Sequence, residues 1–206
     1  GYRKDPRHAV DFILETVRND PSVIIVAIGP LTNLAVAALK QPETFAHARI
    51  CLMGGAFGTT EPEWNILSDP EAASVVFRSG AQITVIGLDV TTRCTLPPEK
   101  MRLIEQASGD GARLLRALCR AWQKYSGFGV TLHDPLVIGQ LIDPTILTFE
   151  PVEIVVELGG IHTRGTTLLQ RSFFPKPEHP NARIATRVDS RKFIDLFMDR
   201  VFDTEK

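Results

Sequence analysis

Apolar and polar positions along this chain form blocks that predict helices and strands in turn. Apolar residues recur at helical spacing between Val10 and Val17, and a continuous, mostly β-branched apolar run follows from Val23 to Ile28. Such a run, bounded by proline and glycine, predicts a buried strand. By the same reasoning, helices are predicted at 31–39, 70–78, 101–125, 135–141 and 193–201, and strands at 50–53, 83–88, 152–158, 166–169 and 183–188.

The connections between these elements are short and contain glycine or proline, and the early strands are apolar on both faces. This combination is typical of a parallel sheet that is covered by helices, so the sequence predicts an α/β fold. We find no repeat, linker or low-complexity tract, and we therefore expect residues 1–206 to form a single domain.

Composition narrows the functional classes. The 206 residues are 44% hydrophobic and 23% charged, enough apolar material for a sizeable core, and no apolar stretch is long enough to predict a membrane span. The formal net charge of -1 gives no indication of nucleic-acid binding. The three cysteines leave one unpaired under any pairing, so we expect a reducing, cytoplasmic location.

The clearest candidate site follows the strand predicted at 50–53. Met53 precedes two glycines, which permit close approach of a ligand to the backbone, and polar Glu63 and Asn65 follow in the next loop. Asp69 and Pro70 then mark a helix start, which needs neither Glu63 nor Asn65. A strand end, a polar loop and a helix start predict the rim of a pocket.

Ligands in open α/β sheets bind at the carboxyl ends of the strands, so residues that follow the apolar runs are the best candidates. His133 and Asp134 are adjacent at one such place, where an imidazole could serve as an acid beside a metal ligand. We expect a group of residues to converge on one edge of the sheet: Ile28, Met53, Glu63, Asn65, Asp89 and His133.

Each candidate also has a structural interpretation. Asp134-Pro135 repeats the Asp69-Pro70 pattern, so Asp134 is equally well explained as a helix N-cap. An isolated histidine such as His133 is more often structural than catalytic, and Glu63 could be a solvated loop charge.

Taken together, these segments resemble the inosine-uridine preferring nucleoside hydrolases. The resemblance rests on the order and spacing of four motifs: the segment 28–35 (IGPLTNLA), Met53-Gly54-Gly55, Glu63-Trp64-Asn65 with 69–73 (DPEAA), and His133-Asp134-Pro135. It implies a Rossmann-like α/β fold with a mostly parallel sheet, a bound calcium ion, and cleavage of the N-glycosidic bond of ribonucleosides to ribose and free base. It also implies a homodimer or homotetramer.

The resemblance assigns roles at the sugar end of the site. Asp134 is the carboxylate that ligates calcium and contacts the ribose, and the backbone carbonyl of Ile28 is a further calcium ligand. Glu63 and Asn65 match the ribose-binding glutamate and asparagine, and Met53 lines the same pocket.

At the base end, His133 matches the histidine that protonates the departing base. Tyr125 resembles an aromatic base contact in some relatives. The resemblance does not indicate a preference for purine or pyrimidine.

Two departures from the family pattern bear on function. The motif Asp-x-Asp-x-x-x-Asp-Asp, which in the family supplies most calcium ligands and the base that activates water, is absent from these residues. We therefore expect that an N-terminal strand of the family is missing from the chain and that these residues are inactive without it. The loop after Met53 is also short, and it has no asparagine where relatives contact the ribose 5′ side, a place that Thr59 or Thr60 could take. The alternative function is a non-catalytic ribose or nucleoside binder that has lost the metal cluster.

Overall fold

The computed structural model describes residues 4–169 and 179–202. The helices are α1 (Ala9–Asn19), α2 (Thr32–Lys40), α3 (Pro42–Phe45), α4 (Trp64–Ser68), α5 (Pro70–Phe77), α6 (Leu88–Thr91), α7 (Pro98–Gln106), α8 (Asp110–Ser126), α9 (His133–Ile142) and α10 (Ser190–Phe202). The strands are β1 (Ile24–Ala27), β2 (Arg49–Met53), β3 (Gln82–Ile86), β4 (Leu147–Val152), β5 (Ile154–Val156), β6 (Thr167–Leu169) and β7 (Ala182–Val188), and a 3₁₀ turn spans Pro144–Ile146.

The main sheet of the described residues has the strand order β1-β2-β3-β7-β4. The strands β1, β2, β3 and β7 pair in parallel. β4 runs against β7, since Asn181 N donates to Val152 O at 3.1 Å while Thr186 Oγ1 donates to Thr148 O at 3.3 Å. The strands β5 and β6 form a separate antiparallel pair. The mostly parallel sheet with flanking helices confirms the predicted α/β fold class.

The chain divides into two compact units, with boundaries after residues 88, 148 and 185. The first unit contains α1 to α5, β1 to β3 and the pair β5–β6, together with most of β4 and β7. The second contains α7 to α10, the 3₁₀ turn and most of α6. Over the described residues, none of the helices combines the length and the apolar character that crossing a membrane requires.

The core of the first unit lies between its helices and the sheet. Helix α1 buries Val10, Leu14 and Val17, the apolar positions that predicted it. Strand β2 is buried from Ile50 to Met53, whereas all residues of β1 are only half-buried. The prediction that β1 is buried on both faces is wrong, because within the described sheet β1 is an edge strand.

The second unit departs from the prediction of one helix at 101–125. Residues 107–109 separate α7 from α8, and Gly109 has a φ of +95°, which a non-glycine residue rarely adopts. On α8, Cys119 is buried, but Leu118 is 58% exposed and Trp122 is 47% exposed. The apolar side chains of Leu118 and Trp122 on α8 therefore lie largely at the surface.

Candidate functional site

The parallel register places the ends of three strands at the same edge of the sheet. Ala27 pairs with Leu52, and Met53 pairs with Ile86. The chain therefore leaves β1 at Ile28 and β2 at Gly54 on the same edge, where the sequence predicted a pocket. Met53 is buried and Ile28 is half exposed.

Glu63 is a buried carboxylate, with 4% of its surface exposed. Its Oε1 accepts a hydrogen bond from Asn65 N at 2.9 Å, and its Oε2 accepts from Ile66 N at 3.1 Å and from Gly55 N at 3.3 Å. Glu63 is thus the N-cap of α4, a short helix that the sequence did not predict. The interpretation of Glu63 as a solvated loop charge is wrong, because backbone donors surround it.

Asn65 is tied to the end of β2. Its Nδ2 donates to Met53 O at 3.1 Å and lies 3.6 Å from Met53 Sδ. These contacts fix the plane of the amide, and none of the described residues donates to its Oδ1. The structure therefore brings Met53, Glu63 and Asn65 together and leaves Asn65 Oδ1 able to accept a hydrogen bond from a ligand.

The glycine pair after β2 packs against the chain itself. A Cβ on Gly54 would lie 3.2 Å from Leu52 Cδ1 and 3.4 Å from Glu63 Oε2. Gly55 has a φ of +83°, and a Cβ there would lie 2.9 Å from Phe57 Cζ. Here the glycines are needed for close internal packing. The approach of a ligand to their backbone stays a prediction.

In the second unit, His133 and Asp134 begin α9. The N-cap is Leu132, and no side chain caps this helix end. The interpretation of Asp134 as a helix cap is therefore wrong, because Asp134 lies inside the first turn. There the partial positive charge of the helix N-terminus favours a carboxylate.

Asp134 is half-buried, and none of the described residues donates a hydrogen bond to it. Burial raises the pKa of its carboxyl group, and the charge of His133 partly opposes that change. A partly buried carboxylate without a donor is suited to accept one from a ligand or to coordinate a cation.

His133 is held through one ring nitrogen. Its Nδ1 lies 2.8 Å from the Oγ1 of Thr91, which is fully buried. The Nε2 has no hydrogen-bond partner among the described residues. Burial lowers the pKa of His133, and the neighbouring Asp134 carboxylate partly offsets this effect. The arrangement fixes the ring and leaves Nε2 able to carry a proton to another group.

Tyr125 lies in the last turn of α8 and is 88% exposed. Its ring centroid is 6.4 Å from that of Trp122, whose Nε1 donates to Gly129 O at 3.2 Å. With 47% of its surface exposed, Trp122 is not a core residue, and Tyr125 has the exposure of a rim residue. A contact between Tyr125 and a base stays a prediction.

Side chains that could hold a metal ion are sparse among the described residues. They contain no group of three or more His, Cys, Asp or Glu side chains placed to hold an ion. The Asp134 carboxylate accepts no hydrogen bond from the described residues and so suits a hard cation. Calcium, however, requires about six to eight oxygen ligands.

Two threonines were missed by the sequence reasoning. Thr91 orients His133, and Thr167 Oγ1 both accepts from Ala56 N at 3.0 Å and donates to Ala56 O at 3.1 Å, which fixes the loop after β2. Thr91 lies in the segment that follows the strand predicted at 83–88, a position where functional residues are expected. Thr167 has no local signal, because its partner is 111 residues away.

Proteins similar to this chain are known over nearly its whole length. A family model described as inosine-uridine preferring nucleoside hydrolase matches residues 2–195. The chain is 33% identical to the inosine-uridine preferring nucleoside hydrolase of Crithidia fasciculata, over 95% of this chain and 65% of that protein. It is 35% identical to the pyrimidine-specific ribonucleoside hydrolase RihA of Citrobacter koseri, over 94% of this chain and 65% of that protein.

Among solved structures, the purine-preferring ribonucleoside hydrolase from Gardnerella vaginalis is similar, with a TM-score of 0.86 and 32% identity. The match covers 98% of this chain and 67% of that one. The chain thus spans 65% of the length of each of the two curated relatives.

Proposed function

Because the chain belongs to the inosine-uridine preferring nucleoside hydrolase family, we propose that it contributes the base-releasing part of a ribonucleoside hydrolase. In the reaction, the bond between ribose C1′ and the base nitrogen breaks and a water oxygen bonds to C1′. One proton must reach the departing base, and the attacking water releases one. The observation that carries the proposal is His133 beside Asp134, with Nδ1 held by Thr91 and Nε2 without a partner among the described residues.

His133 is proposed as the general acid. A base leaves far more readily when its nitrogen is protonated as the C1′–N bond breaks, and an imidazole within hydrogen-bonding reach supplies that proton. Asn65 Oδ1 is proposed to accept from a ribose hydroxyl, with Glu63 and Met53 holding the asparagine in place. Tyr125 is proposed to contact the base.

Asp134 is proposed to bind the ribose hydroxyls and to ligate calcium, with the Ile28 carbonyl as a further ligand. A bound calcium ion would supply a positive charge that acidifies the attacking water. Since the described residues hold no cluster of three or more ligands, we expect these 206 residues alone to bind calcium weakly and to turn over slowly or not at all.

The lack of a cluster of three or more metal ligands among the described residues is the observation that favours the alternative function, a nucleoside binder without hydrolysis. The names of the relatives differ in base preference, so the proposal is limited to ribonucleosides as a class. One purine and one pyrimidine substrate, inosine and uridine, therefore belong in every assay.

Two further proposals concern the state of the protein. Exposed apolar residues at helical spacing on α8, Leu114, Leu118, Trp122 and Tyr125, support a homodimer or homotetramer, which light scattering would measure. The three buried, free cysteines support a cytoplasmic location.

The test compares two leaving groups in the longest available polypeptide that contains these residues. His133→Ala should lower kcat for inosine and uridine by roughly 10²–10⁴, the usual contribution of a positioned general acid. A riboside with a p-nitrophenolate leaving group needs no proton, so the same variant should cleave it nearly as well as the parent. Asp134→Ala should impair both reactions.

His162→Ala is the matched control, because this exposed histidine lies in the other unit and has no assigned role. Equal losses on both substrates for His133→Ala would contradict the acid role. Nucleoside binding without any base release, in the presence of calcium, would favour the alternative function.

A further inference from the structure

A hydrogen bond joins the side chains of Thr91 and His133. Thr91 lies at the end of α6 and His133 at the start of α9, 42 residues later, and their side chains meet at 2.8 Å. The threonine is fully buried, and His133 is its only hydrogen-bond partner among the described side chains. The oxygen of a hydroxyl buried in this way has a fixed position, so it constrains the ring that it contacts.

We propose that Thr91 is a positioning residue that holds Nδ1 of His133, so that Nε2 is the nitrogen that presents a proton to the substrate. This inference rests on the proposed function, because it assigns a purpose to the acid role of His133. It adds a residue that neither the sequence motifs nor the comparisons indicate.

The direction of the hydrogen bond follows from satisfying the buried hydroxyl. If Nδ1 of the neutral ring carried the proton, it would donate to Thr91 Oγ1 and leave the hydroxyl proton without an acceptor among the described residues. An unsatisfied buried donor is costly, so the hydroxyl should donate to Nδ1 and the ring proton should lie on Nε2.

The Thr91 hydroxyl can also hydrogen-bond to the charged form of the His133 ring. When His133 is an imidazolium, both nitrogens carry protons, and Thr91 Oγ1 accepts from Nδ1–H after rotating. In either charge state Thr91 occupies Nδ1, and the proton that reaches a departing base comes from Nε2 of the imidazolium. Its loss leaves the neutral ring with a proton on Nδ1, which donates to Thr91, so the ring keeps its orientation through the transfer. The resting tautomer returns when Nε2 takes up a proton from solvent and Nδ1 releases one.

The test uses Thr91→Val, which keeps the shape and removes the hydroxyl, with Thr91→Ser as the matched variant that keeps it. Nitrogen-15 NMR of His133, at one pH at which the ring is neutral, reports which nitrogen carries the proton. We expect mainly Nε2–H in the parent and in Thr91→Ser, and a mixture of tautomers in Thr91→Val. Nδ1–H as the main form in the parent would overturn the proposal.

Kinetics provide the second measurement. Thr91→Val should lower kcat for inosine by roughly 10- to 100-fold, taking as a guide the loss seen when the partner that orients a metal-bound imidazole is removed. KM and the cleavage of the p-nitrophenolate riboside should stay near the parent values, and Thr91→Ser should restore most of kcat. Equal losses on both substrates for Thr91→Val would show a merely structural role. So would a thermal unfolding temperature that Thr91→Ser lowers as much as Thr91→Val does.

The two hypotheses fail in different ways. If no form of the protein releases a base, the proposed function fails, whereas the NMR tautomer still reports on the Thr91 contact. If His133→Ala shows the selective loss on inosine but Thr91→Val does not, the acid role stands and the positioning role is wrong.

Discussion

Glu63→Gln tests whether the buried carboxylate is a structural cap. Three backbone N–H groups donate to the two carboxylate oxygens, from Asn65 at 2.9 Å, Ile66 at 3.1 Å and Gly55 at 3.3 Å. Glutamine retains one acceptor oxygen and replaces the other with an NH₂ group. If the remaining oxygen accepts from the N–H groups of Ile66 and Gly55, the N–H of Asn65 faces the new NH₂ group, which is also a donor, and is left without an acceptor.

An unsatisfied buried donor costs about 1–3 kcal/mol. The two remaining bonds also weaken, because hydrogen bonds to a charged acceptor are roughly twice as strong as neutral ones. We therefore expect Glu63→Gln to lower the free energy of unfolding by about 2–4 kcal/mol.

Urea denaturation at neutral pH, with the midpoint and slope fitted for each variant, measures this loss. Glu61→Gln is the matched control, because Glu61 is an exposed glutamate in the same loop and should change stability by no more than about 0.5 kcal/mol. If the two variants unfold at the same urea concentration, the carboxylate does not stabilise α4 and the reasoning is refuted.

Two further predictions concern packing. Gly139→Ala places a Cβ 2.7 Å from the Phe193 ring and should lower the free energy of unfolding, measured by urea denaturation, by about 1–3 kcal/mol. In the control Gly111→Ala the new Cβ has nothing within 4 Å, so the free energy of unfolding should stay the same or rise slightly. Equal effects of the two substitutions would contradict the contact with Phe193. Burial raises the pKa of Cys51 to about 11 and that of Cys94 to about 12, and it also raises the pKa of Cys119. All three thiols should therefore resist iodoacetamide at pH 8 until urea is added. Rapid labelling of the native protein would show that a thiol is accessible.

Local signals in the sequence were sufficient to predict the main helices and strands of the first unit. Helix α5 begins where Asp69 and Pro70 predicted it, and the Asp69 carboxylate accepts from Ala72 N at 3.0 Å. α1 and β2 also follow their apolar patterns closely. In each of these elements the residues that specify it are neighbours in sequence, so periodicity and capping rules apply directly.

The features that the sequence did not reveal depend on distant partners. α4 has only five residues, too few for a periodic pattern, and forms around a carboxylate that the fold buries. The contact between His133 and Thr91 joins residues 42 positions apart. The half-buried state of β1 depends on its place at the edge of the described sheet, which follows from strand order and not from its own composition.

Two carboxylates assigned to the candidate site have opposite surroundings. Glu63 accepts from three backbone donors, so most of its capacity is already used in holding α4 and Asn65. Asp134 is half-buried with no donor among the described residues, and burial raises its pKa. Such burial costs the folded state free energy, which a cation or the hydroxyls of a sugar would offset on binding. Under the proposed function, nucleoside binding should therefore depend on Asp134 directly and on Glu63 mainly through the position of Asn65.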